Sequence, residues 1–221
     1  MSLQKVHLRK LLQLFDASDA KRKALLRADI RAEIRSEEGG SGSGNDFYVP
    51  FWSDAKNHVT GQLELTKQTE IRIVSNDSRK RLYPDLRDGF LSWWNDERRR
   101  INEPFGTVPE NISAQFPVLE FGTVVKVENV LAFLVDGHSH RIVYPYFSEV
   151  PKLTAESARL GLWLLSEALN AYVNKDLRIL DVIRSDHFSL MDFPLQGNEK
   201  VQFLGKYKNL LAERERLKRE Y

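Results

Sequence analysis

The sequence predicts an α+β (or α/β) protein in which helices cover a small, mainly antiparallel sheet. Three observations predict this class. The region 117–147 is rich in β-forming residues and contains a strong hairpin signal, an apolar helical pattern follows at about 155–172, and amphipathic helical patterns lie at both ends of the chain. The predicted order is therefore helices, a β-meander, a helix, a strand and a helix.

The composition is that of an ordinary globular protein. The chain has 221 residues, of which 42% are hydrophobic and 29% are charged, with a net charge of +2. It has no run of about 18 consecutive apolar residues, the length that a membrane span needs, so we expect no membrane among its partners. The absence of cysteine excludes disulfides, thiolate metal sites and a cysteine nucleophile, and it fits a cytoplasmic location.

The N-terminal region, 1–38, is predicted to form two amphipathic helices. Ser18 or Asp19 is a suitable N-cap for the second of them. The apolar positions at helical spacing are Leu8, Leu11, Leu12 and Phe15 in the first helix, and Leu25, Leu26, Ile30 and Ile34 in the second. We expect this region either to pack on the body of the protein or to serve as a basic arm.

The segment 39–46, which contains GGSGSG, predicts a flexible loop between that region and an α/β body at 47–221. Within the body, 47–103 is predicted to be mostly helical, 117–147 to be a β-meander, and 154–221 to be helix, strand and helix. Pro50 suits a first helical turn and Gly61 a helix end. The stretch 64–76 fits a helix and a strand equally poorly.

The hairpin is the strongest local signal in the β region. Asp136 and Gly137 favour a two-residue type I′ turn, which places Val135 opposite His138 and Phe133 opposite His140. Because both faces of the hairpin carry apolar residues, we expect it to be central and covered on both sides. Thr154 is the predicted N-cap of the helix that follows, and 176–184 reads as a short buried strand.

Two histidines on the hairpin are weak candidates for metal ligands. His138 and His140 are two residues apart on a strand, so their side chains would project to one face, and His187 or Asp136 could supply a third ligand. The alternative is a polar hairpin tip beside a turn. With no cysteine and no HExxH motif, we expect no metal at this position.

Two basic clusters flank an aromatic segment that contains Tyr83, Trp93 and Trp94. Basic groups could contact phosphates, and aromatic rings could stack on bases. The alternative is a solvated helix face, because neighbouring acidic residues offset the charge. The candidate binding residues are Arg79, Lys80, Arg81, Arg98, Arg99 and Arg100.

Known catalytic motifs are absent from the sequence. It contains no GxSxG, no Walker phosphate loop, no GxGxxG and no HExxH. Glu120 and Glu128 are candidate catalytic carboxylates, although pairs of this kind occur by chance in most soluble chains.

The element order of the segment at about 118–217 resembles the nuclease domain of the RecB/Cas4-type restriction-endonuclease-like superfamily. EFGTVVKVENVLAFLVDGHSHRIVYPYF would correspond to that family's central meander, ESARLGLWLLSEALNAY to the next helix, and DLRILDVIR to the next strand. The resemblance implies a magnesium site made by an Asp and a D/E-x-K motif. Here only Glu128 could replace a metal carboxylate, and no acidic-x-Lys motif is present, so the resemblance implies a fold whose metal-binding motif is missing.

The sequence therefore favours a non-catalytic binding protein for a nucleic acid or a protein partner, with no cofactor. The alternative is a metal-dependent nuclease or hydrolase that holds Mg²⁺ or Zn²⁺ in a divergent site, with Glu120, Glu128, His138 and His140 as candidates. A structural subunit of a larger assembly is a third possibility, suggested by the amphipathic terminal helices.

Overall fold

A computed structural model of the chain describes residues 3–38, 47–100, 105–108 and 111–221. This part of the chain forms an α+β fold, as predicted. The α-helices are α1 (Leu8–Asp16), α2 (Asp19–Glu37), α3 (Val49–Val59), α4 (Leu65–Ser75), α5 (Tyr83–Arg100), α6 (Ala155–Ala168) and α7 (Glu199–Lys218). The strands are β1 (Lys5–His7), β2 (Phe105–Thr107), β3 (Ala114–Val118), β4 (Thr123–Val127), β5 (Leu131–Val135), β6 (Ser139–Tyr146), β7 (Leu177–Asp181) and β8 (Asp186–Ser189). The loop predicted at 39–46 lies outside the described residues.

Side-chain caps decide where several helices begin. The Ser18 hydroxyl accepts a hydrogen bond from the Lys21 N–H, and the Thr154 hydroxyl accepts one from the Ser157 N–H, so both predicted caps are confirmed. The ambiguous stretch 64–76 is helical. There the carboxylate of Glu64 accepts hydrogen bonds from the N–H groups of Thr66 and Lys67 in the first turn of α4, and this satisfies donors that a helix start leaves without partners.

The described strands form two separate sheets. The larger has the order β2-β5-β6-β7-β8, in which β6 and β7 are parallel and the other neighbours are antiparallel. The smaller has the order β1-β4-β3, in which β1 is parallel to β4. The strands of the predicted β-meander are therefore divided between two sheets, and the N-terminal segment contributes a strand to one of them.

The hairpin turn has the predicted type but not the predicted register. Asp136 and Gly137 both have positive φ (56° and 75°), as a type I′ turn requires. Val135 nevertheless pairs with Ser139 and Leu134 with His140, so the predicted pairing of Val135 with His138 is wrong by one residue. The Asp136 carboxylate explains the shift, because it accepts hydrogen bonds from the N–H groups of His138 (3.1 Å) and Ser139 (2.9 Å) and holds His138 within the turn.

The five-stranded sheet lies between two hydrophobic cores. Ile142 and Tyr144 of β6 face a core that also contains residues of α1, α2, α6 and α7. Val143 faces a second core with residues of α3 and α5. The expectation that the hairpin is covered on both sides is confirmed, and the N-terminal helices pack on the body. Among the described helices, none combines the length and the hydrophobicity that a membrane span requires.

Candidate nucleic-acid interface

The two predicted basic clusters lie at opposite ends of α5. The 79–81 cluster comes just before the helix begins, and the 98–100 cluster forms its last turn. At 1.5 Å per residue a helix of this length measures roughly 27 Å, so the clusters do not form one patch. Arg98 and Arg100 are exposed at the far end, and Arg99 contacts Asp96 at 3.4 Å.

Within the first cluster, the three side chains have different surroundings. Arg79 is half-buried: it donates hydrogen bonds to the Arg72 carbonyl and the Ser75 hydroxyl, and its guanidinium lies 5.5 Å from the ring centroid of Tyr83. Lys80 is exposed. Arg81 is 70% exposed and donates to Glu149 at 2.6 Å. Arg81 is therefore the member of this cluster that combines exposure with a contact to a distant part of the chain.

A second arginine reaches the segment that carries Glu149. Arg184 follows β7 and donates hydrogen bonds to the carbonyl oxygens of Ser148 (3.1 Å) and Glu149 (2.6 Å). It also contacts the buried Asp181 at 3.0 Å. The hydrogen bond from Arg81 lowers the pKa of Glu149, and the charges of Lys21 and Arg184 act in the same direction. Three cations from different parts of the chain therefore all act to lower the pKa of Glu149.

Two aromatic rings and a third arginine complete this surface. Tyr48 stacks on Phe147 with ring centroids 4.8 Å apart and planes 6° apart, and the Arg9 guanidinium lies 5.9 Å from the Phe147 centroid. Burial raises the pKa of Tyr48, whereas the charges of Arg9 and Arg81 act to lower it. We call this set of residues the arginine surface: Arg9, Arg81 and Arg184 with Tyr48, around Glu149; Phe147, on which Tyr48 stacks, is buried.

The arginine surface has the chemistry of an anion site with a stacking platform. Guanidinium groups bind phosphate through paired N–H donors, and aromatic side chains are the groups on which single-stranded bases stack. No motif singled out Arg9 or Arg184, although Arg9 belongs to the N-terminal region that was a candidate basic arm. Both are far from Arg81 along the chain, so only the fold brings them together.

The two candidate carboxylates, in contrast, lie apart from each other, and each forms an ion pair with a lysine. Glu120 lies just before β4 and contacts Lys200 at 3.5 Å. Glu128 follows β4 and contacts Lys126 at 2.9 Å. A strand of this length holds its ends roughly 17 Å apart, so the two carboxylates lie at opposite ends of β4.

Neither candidate histidine belongs to a group of three possible metal ligands among the described residues. His138 is exposed in the hairpin turn, and the ring of His140 packs against Tyr172 with centroids 5.3 Å apart. Within the part of the chain that the structure describes, no three His, Asp or Glu side chains are grouped as a metal ion would require. The alternative of a Mg²⁺ or Zn²⁺ site therefore gains no support from the arrangement of these side chains.

No protein-family model and no curated protein matches the chain. The resemblance to the RecB/Cas4-type fold stays a prediction, and a function has to be inferred from the chemistry of the side chains themselves.

Proposed function

We propose that the protein is a non-catalytic nucleic-acid-binding protein and that the arginine surface contacts a single-stranded segment. The observation that carries the proposal is that Arg9 and Arg81, from separate elements, lie near Tyr48, while Arg184 binds the backbone of the neighbouring Glu149. Phosphate contacts and base stacking together are the usual basis of single-strand binding.

A single strand fits this surface better than a duplex. Tyr48 is half-buried: its ring stacks on Phe147 and makes a T-shaped contact with Phe47 at 5.3 Å between centroids. We propose that the part of this side chain that reaches the surface contacts a base. Bases in a duplex are stacked on one another and present only their edges, whereas the bases of a single strand are free to stack on a side chain. The arginines next to the ring would then contact the phosphates on either side of the stacked base.

The test is fluorescence anisotropy of labelled single-stranded DNA and RNA, measured with the full chain over a range of salt concentrations. We expect measurable binding at low salt that weakens as salt rises. Arg81→Gln should lower the affinity about three- to tenfold and reduce the salt slope by about 0.7, the effect of losing one phosphate contact on a single strand. Tyr48→Leu should weaken binding with little change in the salt slope.

Arg98→Gln is the matched control, because Arg98 is also an exposed arginine but belongs to the far end of α5. It should leave the affinity unchanged. If Arg98→Gln weakens binding and Arg81→Gln does not, the interface lies at the other end of the helix and this site is wrong. If neither DNA nor RNA binds at low salt, the nucleic-acid function is wrong, and a protein partner becomes the occupant to look for.

A further inference from the structure

A cleft of about 310 Å³ opens between the C-terminal half of α3 and the β2–β5 side of the five-stranded sheet. Its lining combines apolar side chains, such as Val59 and Phe105, with the polar side chains of Asn57, Thr60 and Asn111. Its volume lies at the lower end of the range for small-molecule sites. The cleft shares none of its residues with the arginine surface.

Among the described residues, Lys56 is the one with a charged side chain that lines the cleft. It is half-buried, and burial lowers the pKa of its ammonium group. Its side chain makes no ion pair and no hydrogen bond with any residue that the structure describes. An ammonium group removed from water without a partner is costly, and no described residue compensates the charged form of Lys56.

The other half-buried lysines of the described chain have the carboxylate partner that Lys56 lacks among the described residues. Each of them contacts a carboxylate: Lys10 contacts Asp29, Lys23 contacts Asp19, Lys126 contacts Glu128, Lys206 contacts Glu156, and Lys218 contacts Glu33. Lys56 contacts no carboxylate of the described residues, unlike these other lysines. It also lines a cleft that can admit a molecule from solution.

We propose that this cleft binds a small apolar carboxylic acid. The carboxylate pairs with Lys56, and the hydrocarbon part contacts Val59, Phe105 and Ala132, which are half-buried apolar residues of the lining. A carboxylate fits better than a phosphate because Lys56 supplies a single positive charge and no arginine of the described chain lines the cleft. The apolar side chains in the lining can remove a hydrocarbon body from water, which a small hydrophilic anion lacks.

The test compares octanoate with octanol, which has a hydrocarbon chain of the same length but no charge, on the full chain by isothermal calorimetry and ligand-observed NMR. We expect octanoate to bind at least about tenfold more tightly than octanol, because only octanoate pairs with the ammonium group. Lys56→Met should reduce octanoate affinity to that of octanol. Lys67→Met, at an exposed lysine of the neighbouring α4, is the matched control and should leave octanoate binding unchanged.

Three results would overturn the proposal: no saturable binding of octanoate, equal affinity of octanoate and octanol, or full octanoate affinity in a folded Lys56→Met protein. The comparison of the two ligands on the unaltered chain decides the question even if Lys56→Met does not fold. None of these measurements involves nucleic acid, so the result is independent of the function proposed for the arginine surface.

Discussion

Arg81 and Glu149 form an ion pair at the centre of the arginine surface, with 2.6 Å between the guanidinium nitrogen and the carboxylate oxygen, and both side chains are largely open to solvent (70% and 45% exposed). The carboxylate of Glu149 thus occupies the position that a phosphate would take on Arg81. A nucleic acid that binds here has to displace this carboxylate, and it also experiences its negative charge.

Replacement of Glu149 should therefore strengthen binding. We expect Glu149→Gln to raise the affinity for single-stranded nucleic acid about three- to tenfold at fixed low salt, the opposite sign to Arg81→Gln, because it removes a competing anion and frees the guanidinium. The same anisotropy titration measures both variants.

Glu120→Gln is the control for a general gain of positive charge. Glu120 is exposed to the same extent as Glu149, 45%, but pairs with Lys200 at the start of α7. It should change the affinity little. If the two carboxylate variants strengthen binding equally, the effect is one of net charge and does not locate the interface at Arg81.

Gly89 of α5 allows the helix to approach the end of β7. A Cβ atom at this position would lie 2.1 Å from the Val182 carbonyl oxygen and 2.6 Å from the Ile183 carbonyl oxygen. Because both are backbone atoms, no side-chain rotation relieves the clash. We expect Gly89→Ala to lower the free energy of unfolding by about 3 kcal/mol, as measured by urea denaturation.

The chain offers a matched glycine in α7. At Gly205, no atom of the described residues beyond its own helical backbone lies within 4 Å of the place that an alanine Cβ would take. Gly205→Ala should raise the free energy of unfolding by about 0.5–1 kcal/mol, from helix propensity alone. Equal effects of the two substitutions would show that α5 does not approach the β7 end as closely as these distances indicate.

Local chemistry accounts for the parts of the fold that the sequence predicted well. The Ser18 and Thr154 caps, the type I′ turn at Asp136 and Gly137, and the two apolar faces of the hairpin each depend on neighbouring residues. The pairing of β1 with β4 could not be predicted in this way. β1 has three residues, too few for an alternating pattern, and its partner lies more than a hundred residues away.

The hairpin register and the arginine surface could not be predicted either, because both depend on contacts that form only in the folded chain. The register depends on which N–H groups the Asp136 carboxylate contacts, a choice that residue type alone does not settle. Of the arginine surface, Arg81 belonged to a basic cluster and Arg9 to the possible basic arm, but no pattern placed them together or indicated Arg184. Arg9 and Arg184 reach it because α1 and the end of β7 meet near Phe147 and Glu149.

Asp16 links the N-terminal helices to the body. Its carboxylate accepts hydrogen bonds from the N–H (2.8 Å) and hydroxyl (2.7 Å) of Thr154 and from the hydroxyl of Ser157 (2.6 Å), at the start of α6. Asp16→Ala removes all three, so we expect it to lower the free energy of unfolding by about 1–3 kcal/mol in urea denaturation. The conservative variant Asp16→Asn keeps one acceptor oxygen and should lose less. A negligible effect of Asp16→Ala would mean that water replaces these hydrogen bonds without cost.

His7 makes the stability of the protein depend on pH. Burial, together with the charges of Arg9 and Lys126, lowers the pKa of His7 to about 4, while Glu128, 3.8 Å from Nδ1, acts in the opposite direction. Above about pH 6.5 the imidazole is neutral in both the folded and the unfolded chain. As the pH falls from about 6.5 towards 4, the unfolded chain binds a proton that the folded protein does not, so stability is lost over this window.

The unfolding free energy should accordingly fall more between pH 7 and pH 5 in the natural chain than in His7→Gln, by about 1–2 kcal/mol. Urea denaturation of both proteins at the two pH values measures this difference. The other histidines are common to both proteins and cancel in the comparison, and carboxylates titrate mainly below pH 5. Parallel pH dependence in the two proteins would mean that His7 accepts a proton as readily in the fold as in the unfolded chain. In that case Glu128, rather than burial and the two cations, would control its charge.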